Sequence, residues 1–247
     1  MDTLTNTSPV EDRQHGDVDL TLDCAELSTR EINTALRELA PGSRVIITNP
    51  EGRHNLAVGL LEHLDILIDG HAGYFIGGLG AGPDITVNGF VGWSVGENLM
   101  SGSVRVHGNA SACAAASSHG GLVSVAGSAS SRAGISLKGG TLAVAGDVGH
   151  MSGFMAQAGT MLIGGDADAA LGDSLYEAVI YIGGSIASLG SDAQIEEMTE
   201  SDVETVASLV EQTGFDHISP QNVRRVASAK QLYNFDALKN STGQEYG

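Results

Sequence analysis

Seven glycines recur at a constant interval of nineteen positions, without a slip in register: Gly70, Gly89, Gly108, Gly127, Gly146, Gly165 and Gly184. Two positions before each is a β-branched apolar residue: Ile68, Val87, Val106, Val125, Val144, Ile163 and Ile182. Four before is another apolar residue: Ile66, Ile85, Val104, Val123, Leu142, Met161 and Ile180. Seven after comes a second column of small residues, Gly77, Gly96, Ala115, Gly134, Gly153 and Gly172. A fixed period of this kind is the mark of a solenoid, in which each repeat buries its apolar residues against its neighbours.

The pattern inside the period says which solenoid. Apolar residues two apart, with Thr86, Arg105, Ser124 or Tyr181 between them, give the alternation of a strand with one face in and one face out. The strand stops at a glycine, as expected where the backbone must take a positive φ to turn a corner. Helical periodicity is absent, and a repeat of this length is too short for a strand plus a packed helix. Three short strands joined by glycine corners fit, so residues 64–190 are expected to form a right-handed parallel β-helix of about seven coils. At ~4.8 Å per coil the rod is roughly 30 Å long.

Composition narrows the function classes. Glycine numbers 34 and aromatics make up 4%, which suits tight corners better than an ordinary globular core. The formal net charge of −18 argues against sequence-independent nucleic-acid binding and against docking on anionic membranes. From His54 to Val223 the only Lys or Arg residues are Arg105, Arg132 and Lys138. No apolar run is long enough to cross a bilayer and Met1 to Gly16 is polar, so a cytoplasmic location is expected. Cys24 and Cys113 are too few and too far apart for a disulfide framework or a metal site, and read as plain thiols.

The flanks divide the rest of the chain. Residues 1–16 are expected to be disordered, and 17–63 to form an α/β cap on the first coil. In that cap Asp17 to Cys24 reads as a strand, Ser28-Thr-Arg-Glu31 as a capping box opening a helix, and Arg44 to Thr48 as a second strand. Residues 191–247 read as a helical segment and tail that cover the other end of the rod or dock on a partner. There Ser201-Asp-Val-Glu204 suggests one capping box, and Ser219-Pro220 suggests a second helix running to about Gln231.

Candidates for chemistry are weak. His71, His107, His119 and His150 fall at different offsets from their glycines, so they cannot stack as ligands of one metal. Asp147, Asp166, Asp168 and Asp173 cluster near loops; a pair of them suits acid/base work, but Asp beside Gly is more often turn-forming. No Gly-x-x-x-x-Gly-Lys-Ser/Thr stretch is present, and no GxGxxG leads into a helix. A polysaccharide lyase would need Lys or Arg beside its acids on one face, and a self-sufficient β-helix enzyme acting on sugars is disfavoured on that ground. Catalytic, cofactor-binding and metal residues are therefore expected to be none on this chain. The small-residue runs Ala112 to Ser118 and Ser128 to Ser131 make a smooth face suited to contact. The apolar-plus-polar run Gly149 to Gln157 is the first candidate interface, with His150, Met151, Phe154, Met155 and Gln157 as its contacts, joined by Asn98 and Met100.

Five stretches carry a resemblance to a known family: Asn49-Pro-Glu-Gly-Arg-His54, Glu97-Asn-Leu-Met-Ser-Gly102, Gly149-His-Met-Ser-Gly-Phe-Met-Ala-Gln157, Leu171-Gly-Asp-Ser-Leu-Tyr-Glu177 and Ser228-Ala-Lys-Gln-Leu-Tyr-Asn-Phe235. The repeat resembles the GXGXG β-helix domain that ends the large subunit of glutamate synthase. Residues ~20–235 are similar to its stand-alone version, a subunit of N-methylglutamate synthase. One departure is Gly153, where the family pattern suggests Ala. The resemblance implies a scaffold subunit in a hetero-oligomer, between an amidotransferase-like subunit that releases ammonia and a subunit that carries FMN and an iron–sulfur cluster. The residues agree with that division: an N-terminal-nucleophile amidotransferase needs a leading Cys where this sequence has Met1-Asp2-Thr3, and a cluster needs three or four nearby Cys. A similar β-helix in one subunit of formylmethanofuran dehydrogenase, or of its formyltransferase/hydrolase relative, is the rival reading.

Overall fold

A computed structural model describes residues 18–232; the segment expected to be disordered and most of the tail lie outside the described residues. Among these residues the chain is a right-handed parallel β-helix with two helices. It starts with β1 (Leu20–Asp23), α1 (Thr29–Glu38) and β2 (Arg44–Thr48). One strand per coil follows: β3 (Asp65–Asp69), β4 (Ala81–Val87), β5 (Ser101–Val106), β6 (Leu122–Val125), β7 (Lys138–Val144), β8 (Ala158–Ile163) and β9 (Val179–Ile182). β10 (Ala193–Glu196), α2 (Glu200–Thr213) and β11 (Arg224–Ser228) close the described chain.

The ladders run as the repeat predicts. Ile66 lies beside Ile85, then Val104, Val123, Leu142, Met161 and Ile180, each in parallel register with the last. All fourteen inward side chains of the two columns are at most 1% exposed. Each apolar pair is buried only because the coils above and below supply its walls, so the array and not the coil is the folding unit.

The corner glycines have a different cause from the one expected. Of the seven, only Gly70 has a positive φ. The others are glycine because coil stacks on coil there with no room for Cβ: one added at Gly89 would lie 2.7 Å from the carbonyl carbon of Gly70, and one at Gly108 2.7 Å from the Gly89 oxygen. The same closeness lets the Gly108 N–H donate to the Gly89 oxygen at 3.1 Å, and the Gly146 N–H to Gly127 at 2.9 Å. Positive φ belongs instead to the second small column, from 56° at Ala115 to 73° at Gly153.

Nor does each coil carry three strands. Beyond the long strand there is a line of single bridges, Val91 to Ala110 to Ala129 to Val148 to Ala167 to Ile186, joined in the last coil by Leu171 to Leu189, and otherwise a run of turns. Each rod coil thus has a sheet side and a turn side.

The stack extends past the repeat at both ends. β1 pairs with β2 and β2 with β3, all parallel, with Val45 beside Ile66 and Ile47 beside Ile68. Helix α1 begins at the expected capping box, Ser28 with Glu31, and buries Ile32 and Leu36. It lies over the first coil, where Asn33 Nδ2 donates to the Asn55 oxygen at 2.7 Å and Arg37 Nη2 to the Val58 oxygen at 2.8 Å.

The C-terminal segment corrects two expectations. Residues 224–228 form the strand β11 and not a second helix: β11 pairs antiparallel with β9, and β10 pairs antiparallel with β11. The open edge of β9 has to be paired, and that demand overrides the helix-start signal of Ser219-Pro220, which makes a turn with the Asn222 N–H bonded to the Ser219 oxygen at 3.0 Å. The single C-terminal helix, α2, lies along the sheet side and not over the rod's end. Its Val206 and Leu209, with Phe215 and Ile218 beyond it, cover Leu122, Ala143, Leu162 and Tyr181, the outward residues of β6 to β9. Its capping box is Thr199 with Asp202, two residues before the expected one. No helix among the described residues is long and apolar enough to cross a membrane.

Candidate functional site

The turn side is built from a backbone conformation rare outside glycine. Counting from each corner glycine, position +5 is Phe75, Ser94, Cys113, Arg132, Met151 and Ala170, and position +9 is Leu79, Asn98, Ser117, Ser136, Met155 and Ser174. All twelve have φ between 52° and 64°. Such residues are strained by roughly 1 kcal/mol or more apiece. What holds them is hydrogen bonding between coils. The Cys113 N–H donates upward to the Ser131 oxygen at 3.0 Å, while two residues on the Ala115 N–H donates downward to the Val95 oxygen at 2.8 Å. Because the strain is satisfied by the stack, the outward side chains of this side stand on a rigid frame.

Every residue expected to make contacts is on this side. Met151 and Met155 occupy positions +5 and +9 of one coil, with φ of 56° and 52°, and Phe154 stands between them. His150 and Gln157 flank them and are exposed, whereas Met151, Phe154 and Met155 are half-buried. Asn98 shares the column of Met155, and Met100 shares that of Gln157, three coils nearer the N-terminal end, or about 14 Å away.

A larger apolar surface lies outside the sequence expectations. Leu61, Tyr74, Leu79, Phe90, Trp93 and Met100 are all exposed, Leu61 at 73% and Trp93 at 66%. They belong to the first three coils and to the same side of the rod. Aromatic rings follow the stacking there: His54 lies on Tyr74 with ring centroids 3.8 Å apart, and His71 on Phe90 at 4.8 Å. In later coils the Phe90 position becomes Asn109, Ser128 and Asp147, and the Trp93 position becomes Ala112, Ser131 and His150, while the Leu79 and Met100 columns keep the half-buried Met155 and Tyr176. The signal is present in the columns of the repeat, but only once turn positions are known to face outward.

The carboxylates singled out for acid/base work serve the backbone. Asp147 Oδ1 accepts the Asp166 N–H at 2.7 Å, and Asp166 Oδ1 accepts that of Ser185 at 2.6 Å. Ser128, Asn109 and His71 do the same in earlier coils, His71 through a bare Nδ1 that accepts the Phe90 N–H at 3.0 Å. The Ser185 N–H holds the Asp166 carboxyl below the usual range. Asp168 accepts the Ala169 N–H, and Asp173 accepts from Ser174 and Ser191. His71, His107, His119 and His150 lie in four different columns.

The two thiols are unactivated. Burial pushes both Cys24 and Cys113 up, against the opposing pull of Arg53 and Arg132. A polar cavity of about 530 Å³ lies at the N-terminal end, lined by Cys24, Thr29, Asn49, Glu51, Arg53 and His54. Arg53 is spent on the fold, donating to the Leu27 and Cys24 oxygens at 2.8 and 2.6 Å. His54 Nδ1 accepts the Tyr74 N–H at 3.1 Å.

Comparison with protein-family models, curated proteins and solved structures gives no match. What the described surface offers is contact: a rigid side with an apolar patch at one end and a methionine-bearing coil further along.

Proposed function

We propose that this chain is a non-catalytic scaffold subunit of a heteromeric glutamate-synthase-type enzyme, with N-methylglutamate synthase as the specific assembly. In it methylamine and L-glutamate yield N-methyl-L-glutamate and ammonia. The chain bridges an amidotransferase-like subunit and a subunit that carries FMN and an iron–sulfur cluster, in a cytoplasmic complex without nucleic acid or membrane.

One observation carries the reading. Of the stretches that resemble the family, Glu97 to Gly102, Gly149 to Gln157 and Leu171 to Glu177 run along the turn side, the first ending where β5 begins. A frame held by interior ladders and inter-coil hydrogen bonds, with Met100, His150 and Gln157 of these stretches exposed along one side, is suited to spacing two other proteins. Tagging the chain in its native cells, purifying it and identifying its companions tests this. Flavin absorbance and an amidotransferase-like companion are expected. A monomer with no flavoprotein bound would overturn it, and a formyl-transfer activity without flavin absorbance would favour the formylmethanofuran-type assembly.

A further inference from the structure

The patch on the first three coils has a charge as well as a shape. Between Arg53 and Arg105 the sequence contains no Lys or Arg, but it does contain Glu62, Asp65, Asp69, Asp84 and Glu97. Glu62 follows Leu61 directly and is exposed, Glu97 precedes Asn98 on the turn side, and Asp69 stands just before the corner at Gly70. Asp65 and Asp84 lie on β3 and β4, where Asp65 pairs with Arg44 and Asp84 accepts from Ser103, so the acidic groups off the strands in the coils of Tyr74, Phe90 and Trp93 are Glu62 and Glu97, with Asp69 at the end of β3. Tyr and Trp faces attract guanidinium and ammonium groups, and an acidic rim does so at longer range.

Scattered apolar side chains need no explanation, but these are not scattered. Six of the nine large apolar residues exposed among the described residues belong to this patch. The columns of Phe90 and Trp93 turn polar or small from Asn109 onward, and the later large residues of the Leu79 and Met100 columns, Met155 and Tyr176, are half-buried. Among the described residues the other three, Val18, Ile195 and Leu232, stand singly near the ends of the described chain.

We infer that the patch around Phe90 and Trp93 is the docking surface for a different protein whose contact face sets Arg or Lys among apolar side chains. This rests on the scaffold reading and names the part of the rod that one companion grips. A second copy of this chain is a poor occupant, because it would bring the same carboxylates against their own kind.

The test uses the full-length tagged chain in its native cells. One version carries a photo-cross-linking benzoylphenylalanine at position 93; others carry Phe90→Ser with Trp93→Ser, Glu62→Lys with Glu97→Lys, and, as a control, His119→Ser. Expected are a cross-link to a peptide of another subunit with Arg or Lys beside the attachment point, and at least a tenfold loss of that subunit from both double variants. His119→Ser should retain it. The double variants should keep the wild-type circular-dichroism spectrum; if they do not, the cross-linked peptide from the otherwise wild-type chain decides. Retention of the subunit within twofold by folded double variants overturns the inference while leaving the scaffold reading intact. So does a cross-link only to a second copy, or to a peptide without basic residues. A wild-type chain that is monomeric in those cells overturns both.

Discussion

Tyr181 donates its phenolic hydrogen to Oδ1 of Asp202 at 2.6 Å, and with that bond the outer face of β9 holds the first turn of α2. Asp202 also accepts from the Thr199 N–H and hydroxyl at 2.8 and 2.6 Å, as the capping box of the helix, and from Arg225 Nε of β11 at 3.2 Å. One carboxylate thus joins the last coil, the helix that covers it and the strand that closes its edge. Arg225 also pairs with Glu196 of β10.

Asp202 makes this corner sensitive to acid. Burial opposes its ionisation, but the hydrogen bonds from Thr199 and Tyr181 outweigh that and leave its pKa below the ordinary value. A group depressed in the folded state contributes stability above its unfolded pKa and loses it as pH falls through the folded one. Melting temperatures of wild type and Asp202→Asn should differ at neutral pH, begin to approach each other near the unfolded aspartate value of about 4, and converge only as pH falls through the lower folded value. Tyr181→Phe, which removes one bond to a charged acceptor, should cost about 1.5–3 kcal/mol in denaturant titration.

The second small column gives a sharper contrast. A Cβ at Gly96 would lie 2.5 Å from Val123 Cγ2, in a backbone with φ of 64°. Gly96→Ala therefore combines strain with overpacking and should cost about 2–4 kcal/mol. Ala115 already occupies the equivalent place at φ 56°, so Ala115→Gly relieves the strain while removing one buried methyl and should shift stability by less than about 1 kcal/mol. Chemical denaturation of the two variants beside wild type checks both.

Val125 is fully buried between Val106 and Val144. Val125→Asp places a carboxylate in the middle of the ladder, and several coils lose their packing together. Loss of the β-type circular-dichroism spectrum, or an insoluble product, is the expected outcome; a cooperative melt near that of wild type would contradict it.

Trp93 is the sole tryptophan and is 66% exposed, so its emission reports on the docking patch alone. In the isolated chain it should emit near the fully hydrated maximum and be quenched more readily by caesium than by iodide, because the neighbouring charges are carboxylates. The order should reverse or level in Glu62→Lys with Glu97→Lys.

The strands are legible because alternation and a strict period leave few ways to bury Val and Ile. The inward ladders and the solenoid architecture follow from that, and α1 follows from its capping box. The coil formed with β2 is not readable from the period: Val45 and Ile66 stand twenty-one positions apart and not nineteen, and Asn49 stands where a corner glycine would. The positive φ of Cys113 or Met151 leaves no mark either, since the hydrogen bonds that stabilise it come from a neighbouring coil and not from the residue's own type. β11 is hidden for a similar reason, because only the unpaired edge of β9 asks for it. The interface residues chosen from sequence lie together on one side, yet the stronger patch escapes any reading that takes Tyr74 and Trp93 one by one and not as parts of one stacked surface.

Since the ladders from β3 to β9 repeat after nineteen positions, a whole coil there can be removed or duplicated without disturbing the pattern of inward neighbours, whereas a one-residue insertion within a strand throws all later columns out of phase. The separation between Trp93 and Met151 is in that sense a quantised length, adjustable in steps of ~4.8 Å and in no smaller increment. A rod of this design sets a gap by counting.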